Sequence, residues 1–483
     1  EDVGEKLEDN KLCADHEGNI YVASNAGLYR QQGNDFVHVA ATGDKSVSSL
    51  YCDRYNGIIV GYDGRGIALY DPKTDQLIDN PFFSQEIDLT RSKVYSIIED
   101  NNGNLWFGLL QKGLYRQPIT FNGFQYMGYK LGSARNIIGS ACVVSVLVDS
   151  RHRTWVGTDK DGIYVISPDG RLERHLLDGY PSTVMSLAEG RDGRIWAGSY
   201  GEGGGSIDPV TFNYKPLNYP DDDHLIIMDI EVDAQGQLWR ATMRHGVLCY
   251  NPADGRLRTY VTEGDAPNDR RINSISNNFV SQVSLSSDGE RLYASTSMGL
   301  CCLDIASGSW TKTFDGNCLN YSVPIRVARE YDGDIWYGTS QGLFRYDLKS
   351  KQTDAYTTAD GLPVNGISSI ERDRQGMLWI STDHGLTLFD PKKGPQMNYF
   401  SDDGLQSNEF SDGASCTAPD GTILFGGTGG VTWFKSEDIQ QSQWNANVHL
   451  TALTINGEPV NTATRSGGRQ VTEVTTNASE HFE

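Results

Sequence analysis

Apolar and polar positions alternate along most of the chain in short runs, each broken by Asn, Asp or Gly. "VYSIIED" (94–100) is typical, and its two-residue period predicts a strand with one buried face. A turn such as "NNG" follows. A second run with Trp comes next, then a tight turn ending in Gly, a third run, and a weaker fourth such as "TDAYT" (353–357). The 3.6-residue period of an amphipathic helix is absent, which excludes a helical solenoid.

The strand pattern repeats. "NNGNLWFGLLQKGLYR" (101–116) recurs as "YDGDIWYGTSQGLFRYD" (331–347) and "RQGMLWISTDHGLTLFD" (374–390). Weaker copies start at residues 16, 55, 151, 194, 234, 288 and 420, giving ten units. Four short antiparallel strands in about 45 residues is the signature of a β-propeller blade. Trp106, Trp155, Trp196, Trp239, Trp336 and Trp379 share one slot in the second strand. A repeated slot implies packing between blades, where each ring buries roughly 150–250 Å². Ten blades exceed the usual four to eight per ring. The last unit lacks a fourth strand after "VTWF" (431–434), and "FQYMGY" (124–129) can supply one. The expected division is therefore 1–120, the C-terminal blades of a first propeller; 121–445, a seven-bladed propeller; and 446–483, where "VHLTALTINGEPV" opens a separate β-domain.

Charge narrows the partners. The 483 residues carry 41 Lys and Arg against 63 Asp and Glu, a net charge of −22. Nucleic acid is excluded as a partner of this region, because phosphate binding needs a basic surface. No run approaches the ~18 apolar residues of a membrane span. "EDVGEKLEDNKL" and "TTNASEHFE" read as ends cut from a longer chain, so the missing signal sequence does not fix a compartment. The eight cysteines show no CxxC or zinc spacing and read as small buried hydrophobes, with a disulfide left open. "EVDAQGQ" (231–237) lacks calcium-loop spacing, and "DDD" (221–223) reads as a solvated loop. No metal or cofactor is expected.

"DNNGNLWFG…KGLYR" and "DRQGMLWISTDHGLTLFD" resemble the two-component-regulator propeller repeat. "DGLQSNEFSDGASCTAPDGTILFGGTGGVTWF" (403–434) is similar to the closing repeat in the sensor region of hybrid two-component systems of gut Bacteroidetes, and "LTALTINGEPV" resembles the opening of a Y_Y_Y domain. The resemblance covers about residues 11–460. It implies a periplasmic glycan sensor with two seven-bladed propellers and an immunoglobulin-like Y_Y_Y sandwich. A membrane helix and histidine kinase would follow, and the receptor would be a homodimer regulating polysaccharide utilisation genes. About four front blades and most of the Y_Y_Y domain are then missing. This region itself is expected not to be an enzyme.

Turns between first and second strands are monotonous, whereas those between second and third strands vary, as expected where rigid scaffolds carry binding loops. Glycan recognition needs aromatic faces and planar polar groups. Tyr200, Glu202, Arg244, His245, Asp383, His384 and Lys160 lie in the variable turns, and Arg271 in the long 259–278 loop. Each is equally readable as a solvated turn residue. Two alternatives stand beside a sensor. One is a lyase resembling streptogramin lyase, for which His245 and His384 sit in suitable turns. The other is a protein-interaction ring, disfavoured because the WD and GH signatures are missing. "RIWAGSYGEGGGSID" (194–208) has five glycines in eight residues. A strand, not a helix, follows, so it is not a phosphate cradle. Gly204 and Gly205 replace Ile163 and Tyr164, and they are expected to leave open backbone beside Tyr200 for a loop or ligand.

Overall fold

The computed structural model describes residues 12–53, 56–82, 87–100, 104–117, 123–129, 137–217, 224–262, 275–311 and 323–439, and the backbone of four short strands beyond. Glu1–Ile439 is one compact unit and Gln440–Glu483 another. Every repeat becomes one antiparallel sheet, nine of them four-stranded and one, at 94–117, three-stranded. No α-helix occurs among the described residues, and no helix there is long and apolar enough to cross a membrane.

Seven sheets close into a ring. Their innermost strands are β1 (Val143–Val148), β2 (Val184–Glu189), β3 (Ile227–Val232), β4 (Val280–Leu285), β5 (Val327–Tyr331), β6 (Ile367–Arg372) and β7 (Phe410–Thr417). Each packs beside the next, and β7 packs beside β1. Seven apolar clusters fill the spaces between successive sheets, the last joining Val143, Val156 and Tyr164 to Leu424 and Val431. The sheet of β7 takes its outermost strand from upstream: Gln125–Met127 pairs with Gly430–Lys435. Phe124 anchors it, edge-on against Tyr399 and Phe434 at 5.0 and 4.8 Å. The three sheets before the ring share two further clusters. Blades are numbered 1–10 along the chain, so the ring is blades 4–10.

The Asp-x-x-Gly-x-Leu-Trp motif explains itself in the coordinates. Asp233 Oδ1 accepts the backbone N–H groups of Gln235 and Gln237, and Oδ2 accepts the Trp239 indole N–H at 2.9 Å. Asp149 and Asp373 do the same for Trp155 and Trp379. Gly236 and Gly376 take φ of +79° and +86°, a left-handed turn position that a side chain would strain. One carboxylate thus fixes the turn and the indole that packs between blades. Blade 5 departs from this. Gly190 stands in the Asp position, and the buried Trp196 indole N–H has no partner.

Cys13, Cys52, Cys142, Cys249, Cys301, Cys302 and Cys416 are free thiols. In the second unit, Leu453–Ile455 pairs antiparallel with Glu458–Val460, and Arg465–Ser466 with Arg469–Gln470.

Candidate functional site

The variable turns are rigidly held. In blades 4, 5, 6 and 9 the last residue of the second strand is Ser or Thr, and its hydroxyl bonds across the turn to a glycine carbonyl: Thr158 to Gly162 (2.8 Å), Ser199 to Gly203 (2.7 Å), Thr242 to Gly246 (2.7 Å) and Thr382 to Gly385 (2.9 Å). The same hydroxyls accept backbone N–H groups of Glu202, His245 and His384. The first turn residue is tied to the segment entering the inner strand, as Tyr200 N–H is to Thr183 O and Asp383 N–H to Gly366 O.

The sequence candidates therefore stand on one fixed rim, in separate places. Lys160 is exposed in blade 4 at φ +70°. Tyr200, in blade 5, is 51% exposed. Glu202 beside it accepts the backbone N–H and hydroxyl of Ser182 at 3.1 and 2.6 Å. In blade 6 Arg244 is exposed and His245 half-buried. In blade 9 Asp383 pairs with Arg326 at 2.9 Å, and the His384 ring lies 5.6 Å from Phe400. Arg271 lies outside the described residues. None of the seven described candidates lines the cavity enclosed by the inner strands of the ring. The space expected beside Gly204 and Gly205 is filled: a Cβ on Gly205 would stand 2.7 Å from the Tyr214 ring and 2.4 Å from Lys215 O, and one on Gly204 would stand 2.9 Å from Ile227. The glycines admit neighbouring protein.

That cavity is the central channel, about 600 Å³, lined by the inner strands. Its lining follows from two repeat slots. Five of the inner strands, β1–β4 and β6, carry an irregularity in pairing after their first residue. Such a bulge re-aims the extra side chain, here Val144, Met185, Met228 and Ser281 into the channel. Arg326 precedes β5, and Ser411 and Asp412 lie in the longer irregularity of β7. The second slot lies opposite the Trp of the second strand: Leu147, Ala188, Glu231, Ser284, Arg329, Glu371 and Cys416, opposite Trp155, Trp196, Trp239, Tyr293, Trp336, Trp379 and Leu424. Blades 4 and 5 are apolar in both slots, and blades 7 and 8 are polar in both. A ring of like repeats thus encloses an unlike-sided channel.

Charge concentrates in the second slot. Glu371 Oε1 and Oε2 accept the hydroxyls of Ser415 and Thr417 at 2.8 and 2.7 Å. Asp229 accepts the backbone N–H groups of Val283 and Ile230 at 3.2 and 2.9 Å. Glu231 is half-buried, faces the channel and receives no hydrogen bond from the described residues. Burial pushes the Glu231 carboxyl up to about 7; Arg329 opposes the shift, and Asp229 and Glu371 add to it. Burial also raises Asp229, against the pull of Arg329. Burial works against the charge of Arg329, but Glu371, Tyr331, Glu231 and Asp229 outweigh it. At the channel mouth Arg326 bridges Asp383 and Asp412 at 2.9 and 3.5 Å, linking one rim candidate to the lining. Among the described residues no His, Cys, Asp and Glu grouping could hold a metal ion.

Comparing turns alone misses the channel. The signal lies in the inner strands, which open as "VVSV", "VMSL", "IMDI", "VSQV" and "ISSI". In the first four the second letter is the channel-facing bulge, and charges inside such strands, as in "IMDIEV", are expensive unless partnered.

The family model of the two component regulator propeller matches residues 88–110 and 361–384, in blades 3 and 9. Histidine kinase P4 of Formosa agariphila is 24% identical over 357 residues, 71% of this chain and 25% of that protein. A chain described as the extracellular domain of a hybrid two-component system from B. thetaiotaomicron superposes with a TM-score of 0.72 at 20% identity, over 97% of this chain and 61% of that one. Virginiamycin B lyase from Staphylococcus aureus gives a TM-score of 0.50 at 16% identity, over 64% of this chain and 98% of the lyase. This chain spans a quarter of the length of the curated relative and 61% of the first solved structure. The chain carries two-component regulator propeller repeats on the β-propeller fold of those extracellular domains.

Proposed function

We propose that this chain is the periplasmic ligand-sensing region of a hybrid two-component system histidine kinase. In this reading it binds an oligosaccharide and controls polysaccharide utilisation genes. The observation that carries the binding role is a channel of about 600 Å³ opening beneath a rim of fixed polar turns. That volume suits one or two sugar units, and the rim adds Tyr200 for stacking and Arg244, Asp383 and His384 for hydroxyl pairs. The signal then passes to a Y_Y_Y sandwich begun at 446–483, across the membrane, and between two copies of the receptor.

Turnover has less support. No histidine is among the described residues that line the channel, and His245 and His384 stand in turns of blades three apart. Isothermal calorimetry against plant and host oligosaccharides tests the reading, with product analysis of every binding partner. One sugar class bound without chemical change is expected. A cleaved or eliminated product would overturn the reading in favour of an enzyme.

A further inference from the structure

We propose that the channel receives the terminal unit of the ligand, that this unit is a hexuronate, and that the Arg329 guanidinium holds its carboxylate. The inference rests on the reading of the chain as an oligosaccharide sensor and names the sugar class.

The Arg329 guanidinium is the open group of the channel. It stands on β5, lines the channel and is half-buried. Of the five N–H donors of a guanidinium, one is used here, from Nη1 to Ala328 O at 3.4 Å. Arg329 forms no ion pair with the described residues; Glu371, Glu231 and Asp229 attract it from further off. Other arginines of the ring are tied down. Arg153 bonds Asp149 and the Pro209 carbonyl, and Arg326 bridges Asp383 and Asp412. Two of the nearby carboxyls are committed elsewhere, Glu371 to the hydroxyls of Ser415 and Thr417, and Asp229 to the backbone N–H groups of Val283 and Ile230. A desolvated fork left open in this way is costly unless a ligand completes it. A carboxylate matches the fork with two parallel N–H···O bonds.

Glu231 supplies a second contact. It faces the same space and receives no hydrogen bond from the described residues. Burial holds its carboxyl near 7, with Asp229 on its own strand and Glu371 from β6 adding to the shift and Arg329 from β5 opposing it. In its protonated form it donates an O–H to a ligand carboxylate instead of repelling it. A sulfate ester is a weaker base and gains less from that O–H. Shape agrees with charge. Blades 4 to 6 bring the apolar Val144, Met185 and Met228 to the channel, whereas blade 8 brings Arg329. A pyranose has an apolar C–H face and a polar edge, and in a hexuronate the carboxylate lies on that edge.

The test is calorimetry on the whole chain with disaccharides of galacturonate, glucuronate and mannuronate, each as the free acid and as its methyl ester, and with a sulfated neutral disaccharide. At about pH 6 one or more of the free acids is expected to bind at least ~10-fold more tightly than its ester. Its affinity should fall several-fold by about pH 8, as Glu231 loses its proton. Glu231→Gln, a neutral donor at every pH, should keep the preference and lose the pH dependence. Arg329→Lys keeps the charge without the fork and should erase most of the preference; if that variant does not fold, the acid and ester comparison in the unaltered protein still decides. No acid preferred over its ester, a preference that survives Arg329→Lys, or tighter binding of the sulfated sugar overturns the uronate assignment and leaves oligosaccharide sensing standing. If no probe and no neutral oligosaccharide binds, both readings fall together.

Discussion

The rim and the channel of one ring treat charge in opposite ways. On the rim Lys160 and Arg244 reach into solvent, and Glu202 answers a neighbouring serine on a turn that would hold its shape without it. In the channel Glu231, Arg329 and Glu371 occupy a slot that blades 4 and 5 fill with Leu147 and Ala188. Variation on the rim costs little, because any polar residue suits a solvated turn. Variation in the channel puts ionised groups where water is scarce, and such groups are costly unless paired. The channel is therefore the more informative place to look for selection by a ligand.

The sharpest way to break this contrast is to remove one arginine from each region. Arg329→Met takes from Asp229, Glu231 and Glu371 the one guanidinium that acts on them among the described residues. Its cost should reach about 3–5 kcal/mol, as for other buried pairs broken on one side. Arg326→Met loses the pairing with Asp383 and Asp412, whose side chains are 49% and 58% exposed, and should cost at most about 1 kcal/mol. Urea denaturation of both variants measures the difference. Equal costs would mean that the channel is as wet as the rim.

A second comparison lies behind the channel slot. Trp239 stands opposite Glu231, and its indole N–H is bonded to the buried Asp233. Trp239→Phe removes one of the two side-chain donors to that carboxylate oxygen, leaving the Gln237 amide, and should cost about 1–3 kcal/mol. Trp196 stands opposite Ala188, and its N–H is unpaired. Trp196→Phe removes an unsatisfied donor and should stay within about 1 kcal/mol of the parent. Melting curves of the two variants read this directly, and a larger loss at Trp196 would contradict the pairing.

Protonation gives a smaller effect with a definite sign. The Glu231 carboxyl titrates near 7 in the folded chain, against an ordinary value of 4.5. Between those values the folded state holds more protons than the unfolded state, so stability falls as pH rises through the window. Glu231 is faced by Asp229 on its own strand and by Arg329 and Glu371 from β5 and β6. Asp229 shifts in the same direction and leaves some slope of its own. Glu231→Gln should flatten the decline in urea midpoint between about pH 5 and pH 8 without abolishing it. An unchanged slope would show that Glu231 is already ionised in the folded protein.

Much of the ring was legible because the repeat is written in residues that do mechanical work. The Asp of the turn, the positive-φ glycine and the Trp are one hydrogen-bonded device, so reading them finds each blade. The closing strand at 125–127 was legible from what the last unit lacked. The channel was not, because its side chains are spaced by a bulge that breaks the two-residue period by which strands are read. Gly204 and Gly205 were legible as a place of close approach, but not as to which partner makes it. Their missing side chains suggested space, but the Tyr214 ring, the backbone of Lys215 and Ile227 of the next blade occupy it.

Tyr200→Ala makes the smallest expected change in stability and the clearest test of the rim. The ring is 51% exposed, and the backbone N–H that fixes the turn bonds to Thr183 O whatever side chain follows. Truncation should therefore shift stability by less than ~1 kcal/mol. If oligosaccharide units outside the channel stack on this ring, the same change should weaken a longer oligosaccharide by several-fold and leave a disaccharide unaffected. Each stacked aromatic is worth about 0.5–1.5 kcal/mol beyond its buried area. Equal weakening of both ligands would place Tyr200 on the terminal unit and move the rim into the site. Equal indifference would leave the channel as the whole of it.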